Sequence, residues 1–142
     1  SIVCSASPGY IVPRIQALAM NEAARLAEEK VASVEDIDTA IRVGFGVRYA
    51  ILGMLEFIDF GGGDILYYAS DYLSKNVDKE RYTAPKIIHD NMHNNRNGIT
   101  DGKGFYDYEN IDVDAYRKQR MTEFVGLLGH LQLLPKVEKN EK

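Results

Sequence analysis

Apolar residues recur every three or four positions along most of this chain, which is the spacing of one face of an α-helix. The first such face predicts a helix over residues 11–29, with Pro13 in the first turn, where a missing N–H costs nothing. Ser33 is a favourable N-cap for a second helix over residues 34–43, which Gly44 is expected to end. Further apolar faces predict helices over residues 51–60 and 64–76, from residue 83 into the Asn-rich segment 94–97, and over residues 113–134.

The order of these elements predicts an all-α domain of about six helices. Since no strands alternate with them, a parallel nucleotide-binding sheet has nowhere to form. Residues 44–50 are predicted to be a loop, and the glycine-spaced segment 98–108 a loop with possible short strands. We interpret residues 1–8 as a linker from an upstream domain, residues 9–135 as the helical domain, and the charged residues 136–142 as a disordered tail.

Composition excludes several classes of protein. Apolar residues make up 45% of the chain, as in a globular domain. The net charge is −4, and outside the charged tail the sequence has no basic stripe that would bind nucleic acid. The apolar runs are far shorter than a membrane span requires. Cys4 is the only cysteine, so no internal disulfide can form, which favours a reducing, cytoplasmic location.

Two local patterns suggest a cofactor or a metal but lack essential parts. Gly44 and Gly46 follow a helix rather than a strand, and Tyr49 stands where a third glycine would be needed to cradle a phosphate. NAD is therefore not expected to bind here. His89 and His93 have the four-residue spacing of a metal pair, but no suitably placed third ligand accompanies them, so we interpret them as surface residues.

Arg48 is the strongest candidate for a binding residue. An Arg fork can hold a carboxylate or phosphate through two hydrogen bonds, and Tyr49 lies beside it in a glycine-bounded segment. The alternative is an ion pair between Arg48 and Glu56 or Asp59 that joins helices. Arg14, on the first helix, is either part of a site wall or a surface residue.

Four stretches of the chain resemble the C-terminal domain of the NAD-dependent 3-hydroxyacyl-CoA dehydrogenase family, in order and spacing. The resemblance implies a helical domain that binds substrate and forms a homodimer. It also implies that NAD and the catalytic His–Glu pair and Ser belong to a separate N-terminal domain, absent from this chain. The stretches are Pro8-Gly9-Tyr10-Ile11-Val12-x-Arg14, Asn21-Glu22-Ala23-x-Arg25-Leu26, Ala32-Ser33-x-Glu35-Asp36-Ile37-Asp38-x-Ala40 and Gly98-x-x-x-Gly102-x-Gly104-Phe105-Tyr106-x-Tyr108.

The chain departs from this family at two positions. The family has an active-site Asn just before the Arg of the opening helix, where this chain has Pro13, so that role cannot be carried over. Thr100, Asp101 and Gly102 stand where the family usually has Lys-Thr-Gly. No catalytic residue is therefore expected within this chain.

The segment from Gly44 to Glu56 is similar to relatives that act on small free acids. These are lambda-crystallin/L-gulonate dehydrogenase, carnitine dehydrogenase and enzymes that oxidise hydroxymethyl-pyridine carboxylates. The resemblance thus implies an acyl-CoA substrate or, alternatively, a small hydroxy acid. We expect Arg48 to be the main substrate contact, with Arg14 and Tyr49 as further candidates. A second alternative is a non-catalytic helical interaction domain.

Overall fold

The computed structural model describes residues 2–134, which fall into two compact units, one up to Gly46 and one from Val47 onward. Within the described residues, helices are the only extended regular elements. Two isolated β-bridges, Gly98 with Lys103 and Lys103 with Asp107, represent the short strands expected in segment 98–108. The predicted all-α class is therefore confirmed.

The first unit consists of helix α1 (Val12–Glu28), helix α2 (Val34–Ala40) and a π-helical segment, Ile41–Gly46. Pro13 lies in the first turn of α1, as predicted. The Ser33 side chain caps α2 by accepting a hydrogen bond from the Asp36 amide at 3.1 Å. Helices α1 and α2 pack against each other, and Ile37 is buried.

The predicted end of the second helix at Gly44, and the predicted loop over residues 44–50, are wrong. Glycine ends a helix by adopting a left-handed conformation, but neither Gly44 nor Gly46 has a positive φ angle. The backbone instead continues as a π-helix over Ile41–Gly46 and then as helix α3, Val47–Tyr49. A Cβ on Gly46 would lie 3.1 Å from the Ile41 carbonyl oxygen, so glycine suits this winding.

After α3, the helices of the second unit are α4 (Met54–Gly61), α5 (Gly63–Asn76), α6 (Lys79–Tyr82), α7 (Lys86–His93), a 3₁₀ turn (Ile99–Asp101) and α8 (Val113–His130). In this unit, helix α5 packs against α4, α6 and α7, and α3 packs against α8. The buried apolar residues Val47, Leu52, Ile88, Ile99 and Tyr108 form its core. No helix of the described part of the chain is long and apolar enough to cross a membrane.

Three boundaries in this unit show how far the hydrophobic pattern reaches. Gly62, with φ of +110°, separates α4 from α5, as the glycine run predicted. Helix α6 was missed because its four residues are too few for a periodic face; the Asp78 side chain caps it. Helix α8 ends at His130 and not at 134, since Gln132 adopts a left-handed conformation. The predicted tail lies outside the described residues.

Candidate functional site

Asp59, on α4, is a buried carboxylate that organises the segment after α7. Only 2% of its surface is exposed. Its Oδ1 accepts a hydrogen bond from the Phe105 amide at 3.0 Å, and its Oδ2 accepts bonds from the Tyr106 amide at 2.8 Å and the Tyr108 hydroxyl at 3.1 Å. A buried charge without partners would be costly, and these three donors compensate for its lost hydration.

Two glycines of the same segment allow this close approach. A Cβ on Gly104 would overlap the Asp59 carboxyl group, and a Cβ on Gly98 would overlap the Asp59 backbone. Gly98 also has a φ angle of +112°, which other residues rarely adopt. The glycine spacing that predicted only a loop therefore reflects packing of that loop on α4.

The Tyr108 hydroxyl remains a hydrogen-bond donor to the Asp59 carboxylate. Burial raises the pKa of the Tyr108 hydroxyl, and the charge of Asp59 and the hydrogen bond to it raise this pKa further. The hydroxyl therefore remains protonated at neutral pH. Its role in this arrangement is structural.

A second polar cluster joins α4 to α8 through Glu56. Glu56 Oε1 accepts bonds from the Tyr116 hydroxyl at 2.6 Å and from Nε and Nη2 of Arg120 at 3.0 and 2.6 Å. Burial alone would raise the pKa of Glu56. The hydrogen bonds from Tyr116 and Arg120, the charge of Arg120 and the Gly53 amide outweigh burial and hold this pKa below its usual value. Glu56 is therefore ionised at neutral pH.

Arg48 and Tyr49 lie together on α3, just before α4. The Arg48 carbonyl accepts bonds from the Ile51 and Leu52 amides at 3.2 and 2.9 Å. The Arg48 guanidinium carbon lies 5.5 Å from the centre of the Phe57 ring, within cation–π range. The Tyr49 ring meets the same Phe57 ring edge-on, with centres 5.7 Å apart. Phe57 therefore supports both predicted contact residues.

The ion pairs considered for Arg48 do not occur among the described contacts. Glu56 pairs with Arg120, and Asp59 accepts its bonds from the 98–108 segment. Arg48 is exposed, whereas Tyr49 is partly buried. An exposed guanidinium resting on an aromatic ring keeps its fork available for a carboxylate or phosphate.

Arg14 lies in the first unit, on α1, and is exposed. Its Nη1 lies 3.5 Å from Ser7 Oγ, to which it donates a hydrogen bond. The Tyr10 amide donates to the Ser7 carbonyl at 3.0 Å, so Arg14 braces the turn that precedes α1. Of the three predicted contact residues, Arg48 and Tyr49 share one helix and Arg14 belongs to the other unit.

The second unit also contains an open, largely apolar cleft of about 310 Å³. Helices α4, α5 and α7 contribute Leu55, Leu66 and Ile88 to its wall, and Phe105 comes from the 98–108 segment. Arg48 and Tyr49 are not among the described residues that line it. The cleft is suited to apolar groups and is separate from the predicted contact residues.

The described residues do not fit NAD or a metal ion. Gly44 and Gly46 lie in a π-helix and not between a strand and a helix, so they form no phosphate cradle. No group of three His, Cys, Asp or Glu side chains that could hold a metal occurs within residues 2–134. His93 Nδ1 lies 2.7 Å from the His89 carbonyl oxygen, and the His89 ring packs on Tyr67.

The sequence did not reveal the roles of Asp59, Glu56, Tyr116 and Arg120. The sequence offers Asp59 and Glu56 only as possible partners of Arg48, and nothing in it indicates that Tyr116 and Arg120 contact Glu56. A weak signal was present, because Asp59 is an isolated acid between apolar neighbours on a predicted helix. Such a residue is expected to need a partner.

Comparison with known proteins places most of the chain in one family. Residues 9–108 match the 3-hydroxyacyl-CoA dehydrogenase C-terminal domain. The crystal structure of a 3-hydroxyacyl-CoA dehydrogenase from Archaeoglobus fulgidus matches 94% of the chain with a TM-score of 0.79 and 32% sequence identity. The match covers 45% of that protein.

Curated relatives include both kinds of enzyme suggested by the sequence. A 5-formyl-3-hydroxy-2-methylpyridine 4-carboxylate 5-dehydrogenase of Mesorhizobium japonicum is 27% identical over 84% of the chain, and a probable 3-hydroxyacyl-CoA dehydrogenase of Caenorhabditis elegans is 32% identical over 77%. A fatty acid oxidation complex subunit alpha of Shewanella oneidensis is 37% identical over 97%. The chain spans 38%, 35% and 18% of the length of these three relatives.

Proposed function

The chain belongs to the family of the 3-hydroxyacyl-CoA dehydrogenase C-terminal domain, and we propose that it is the substrate-binding and dimerisation domain of an NAD-dependent 3-hydroxyacyl-CoA dehydrogenase. The proposed reaction oxidises a secondary alcohol to a ketone. The observation that carries the proposal is the family match over residues 9–108, supported by the likeness to a solved dehydrogenase at a TM-score of 0.79.

In this proposal NAD is bound by an N-terminal domain outside the described residues. The residues described here do not fit the cofactor, and the chain spans little more than a third of its first two curated relatives. NAD would accept the hydride when bound. The task of the present domain is to bind and orient the substrate, and on its own it is expected to be inactive.

We propose Arg48 as the principal substrate contact, with Tyr49 and Arg14 as further contacts. The exposed Arg48 guanidinium rests on the Phe57 ring, so its orientation is restricted before any ligand arrives. Such restriction lowers the entropy lost on binding. A phosphate of CoA and a free carboxylate both match the two-pronged geometry of this group.

The alternative substrate is a small free hydroxy acid or hydroxymethyl carboxylate. Similarity to the pyridine carboxylate dehydrogenase supports it, as does Pro13 at the position of the family's active-site Asn. In that case Arg48 would hold the substrate carboxylate. Arg48 would thus bind a phosphate of CoA in the first case and the substrate carboxylate in the second.

The test is NADH formation by the enzyme formed when this chain and its NAD-binding domain are present together. 3-Hydroxybutyryl-CoA is compared with free hydroxy acids of matched length. Turnover of the thioester alone supports the acyl-CoA proposal. Turnover of a free acid alone supports the alternative, and turnover of neither would indicate a non-catalytic interaction domain.

An Arg48→Ala variant tests the proposed contact in the same assay. Loss of a charged hydrogen-bonding partner is expected to raise KM for the accepted substrate by about tenfold to about a hundredfold, with kcat changed less, because such bonds contribute about 1.5–3 kcal/mol. Arg117→Ala is the matched control, since Arg117 is an exposed arginine on α8. An unchanged KM in Arg48→Ala for every substrate would contradict the assignment.

Two further properties belong to the proposal. We propose a homodimer formed through this domain, because large apolar side chains on α1 and α5 are exposed. We also propose a cytoplasmic location, which is supported by the single free thiol of Cys4.

A further inference from the structure

Helix α8 lies beyond the residues that match the family, yet its side chains form hydrogen bonds with α4, which lies inside the matched region. The family match ends at residue 108, and α8 spans Val113–His130. Tyr116 and Arg120 of α8 place three hydrogen bonds on one oxygen of Glu56, at 2.6, 3.0 and 2.6 Å. The Glu56 and Arg120 side chains are only 18% and 27% exposed, so solvent screens the pair weakly.

The other oxygen of Glu56 holds the start of α4. Glu56 Oε2 accepts a bond from the Gly53 amide at 3.4 Å, and the Phe57 amide donates to the Gly53 carbonyl at 2.8 Å. An acidic side chain three residues after the N-cap satisfies an amide that the helix cannot. Glu56 therefore connects α8 with the first turn of α4.

Phe57 connects Glu56 with the predicted substrate contacts Arg48 and Tyr49. It follows Glu56 directly, and its ring supports the Arg48 guanidinium at 5.5 Å and the Tyr49 ring at 5.7 Å. Helix α3, which bears both residues, also packs against α8. Arg48 is thus connected with the first turn of α4 through Phe57 and with α8 through α3.

We propose that Tyr116 and Arg120 are positioning residues that orient Arg48 through Glu56 and Phe57. This inference rests on the proposed role of Arg48 as a substrate contact. Two nitrogens of one guanidinium on a single carboxylate oxygen, together with a hydroxyl, fix Glu56 in direction as well as in distance. Small displacements of a binding group reduce the efficiency of a site strongly.

The first experiment is a kinetic double-mutant cycle in the NAD-dependent enzyme proposed above. Arg120→Gln is expected to raise KM about tenfold with kcat changed less, since the substrate contact is displaced and the reacting groups are not. In an Arg48→Ala background the same substitution is expected to have little further effect, because it acts through Arg48. Arg117→Gln, which removes an exposed charge from the same helix, is the matched control.

A conservative variant separates positioning from simple loss of charge. Arg120→Lys retains the charge but lacks the paired nitrogens, and is expected to recover only part of the lost affinity. Full recovery by lysine, an unchanged KM in Arg120→Gln, or additive effects of the Arg48 and Arg120 substitutions would each overturn the proposal. Thermal unfolding of each variant shows whether it is folded in the assay.

A second measurement does not depend on activity. In the protein labelled with ¹⁵N, the Phe57 ring is expected to shift the Arg48 Nε–H resonance away from its random-coil position. Arg120→Gln should return it towards that position, and Arg117→Gln should not. An unchanged resonance in Arg120→Gln would overturn the positioning role. If the resonance moves but Arg48→Ala leaves KM unchanged, the proposed substrate contact fails while the structural linkage stands.

Discussion

At the scale of single residues, Asp59 is a buried charged side chain of the second unit. Its carboxylate accepts hydrogen bonds from three donors in segment 98–108, and Gly98 and Gly104 allow that segment to approach it closely. Removing one partner of a buried charged group costs more than a typical hydrogen bond contributes. We therefore expect this junction to tolerate little change in volume or polarity.

A Gly104→Ala substitution tests the tightness of this junction. The added methyl group would overlap the Asp59 carboxyl, and overpacking of this kind lowers the free energy of unfolding by about 1–3 kcal/mol. Gly126→Ala is the control, because Gly126 lies within α8 with open space around its Cα. It should raise stability by about 1 kcal/mol through helix propensity. Urea denaturation measures both, and equal effects would contradict the junction.

The sequence predicts a loop at this glycine pattern but not that the loop packs on Asp59. The spacing of Gly98, Gly102 and Gly104 predicted a loop, which the structure confirms. Nothing local indicates that the loop folds onto Asp59, because the partners lie more than forty positions away in sequence. Burial of Asp59 and the choice of its donors are decided by tertiary packing.

At the scale of elements, the junction of α4 with α8 depends on the ionisation of Glu56. Its ionised carboxylate faces Tyr116, Arg120 and, beyond them, Glu123 on α8, as well as the Gly53 amide. The folded state lowers the pKa of Glu56 below its usual 4.5. Between the folded-state pKa of Glu56 and its usual value of 4.5, the unfolded chain binds more protons than the folded chain. The free energy of unfolding therefore increases with pH over this range.

This linkage predicts an acid-sensitive contribution to stability. The stabilisation from Glu56 is complete above pH 4.5 and is lost as the pH falls through the lower, folded-state pKa. A Glu56→Gln variant should therefore be less stable than the wild type at pH 7, with the difference narrowing as the pH is lowered. Thermal unfolding from pH 3 to pH 7 checks this, and a difference that stays constant would contradict it.

Elements with long apolar faces were predictable from sequence, and short or irregular ones were not. The starts of α1 and α2 agree with the Pro and N-cap signals at Pro13 and Ser33. The π-helix over Ile41–Gly46 and the four-residue α6 have no such signature. Their form depends on backbone winding and on packing rather than on periodicity.

At the scale of the whole molecule, much apolar surface remains exposed on two helices. On α1, Leu18 and Met20 are 65% and 62% exposed, and on α5, Ile65 and Tyr72 are 63% and 65% exposed. Apolar surfaces of this kind generally mark contacts with other domains or subunits. The resemblance to the family predicts a homodimer, and the exposed apolar side chains of α1 and α5 are consistent with that prediction.

The proposed homodimer predicts a definite mass in solution. At high micromolar concentration, sedimentation equilibrium is expected to give twice the mass of one chain, because association removes apolar surface from water. Dilution should shift the equilibrium towards single chains. A mass of one chain throughout the concentration range would contradict dimerisation through this domain.

The buried junction at Asp59 also has a consequence for the order of folding. Its three donors lie 46, 47 and 49 residues downstream, whereas α5, α6 and α7, which lie between, contact close neighbours in sequence. Contacts between neighbours form quickly, and closing a long loop adds an entropic cost that slows distant ones. We therefore expect α5, α6 and α7 to pack together first and the contacts of Asp59 to form late. Weakening those contacts would then accelerate unfolding much more than it would slow folding.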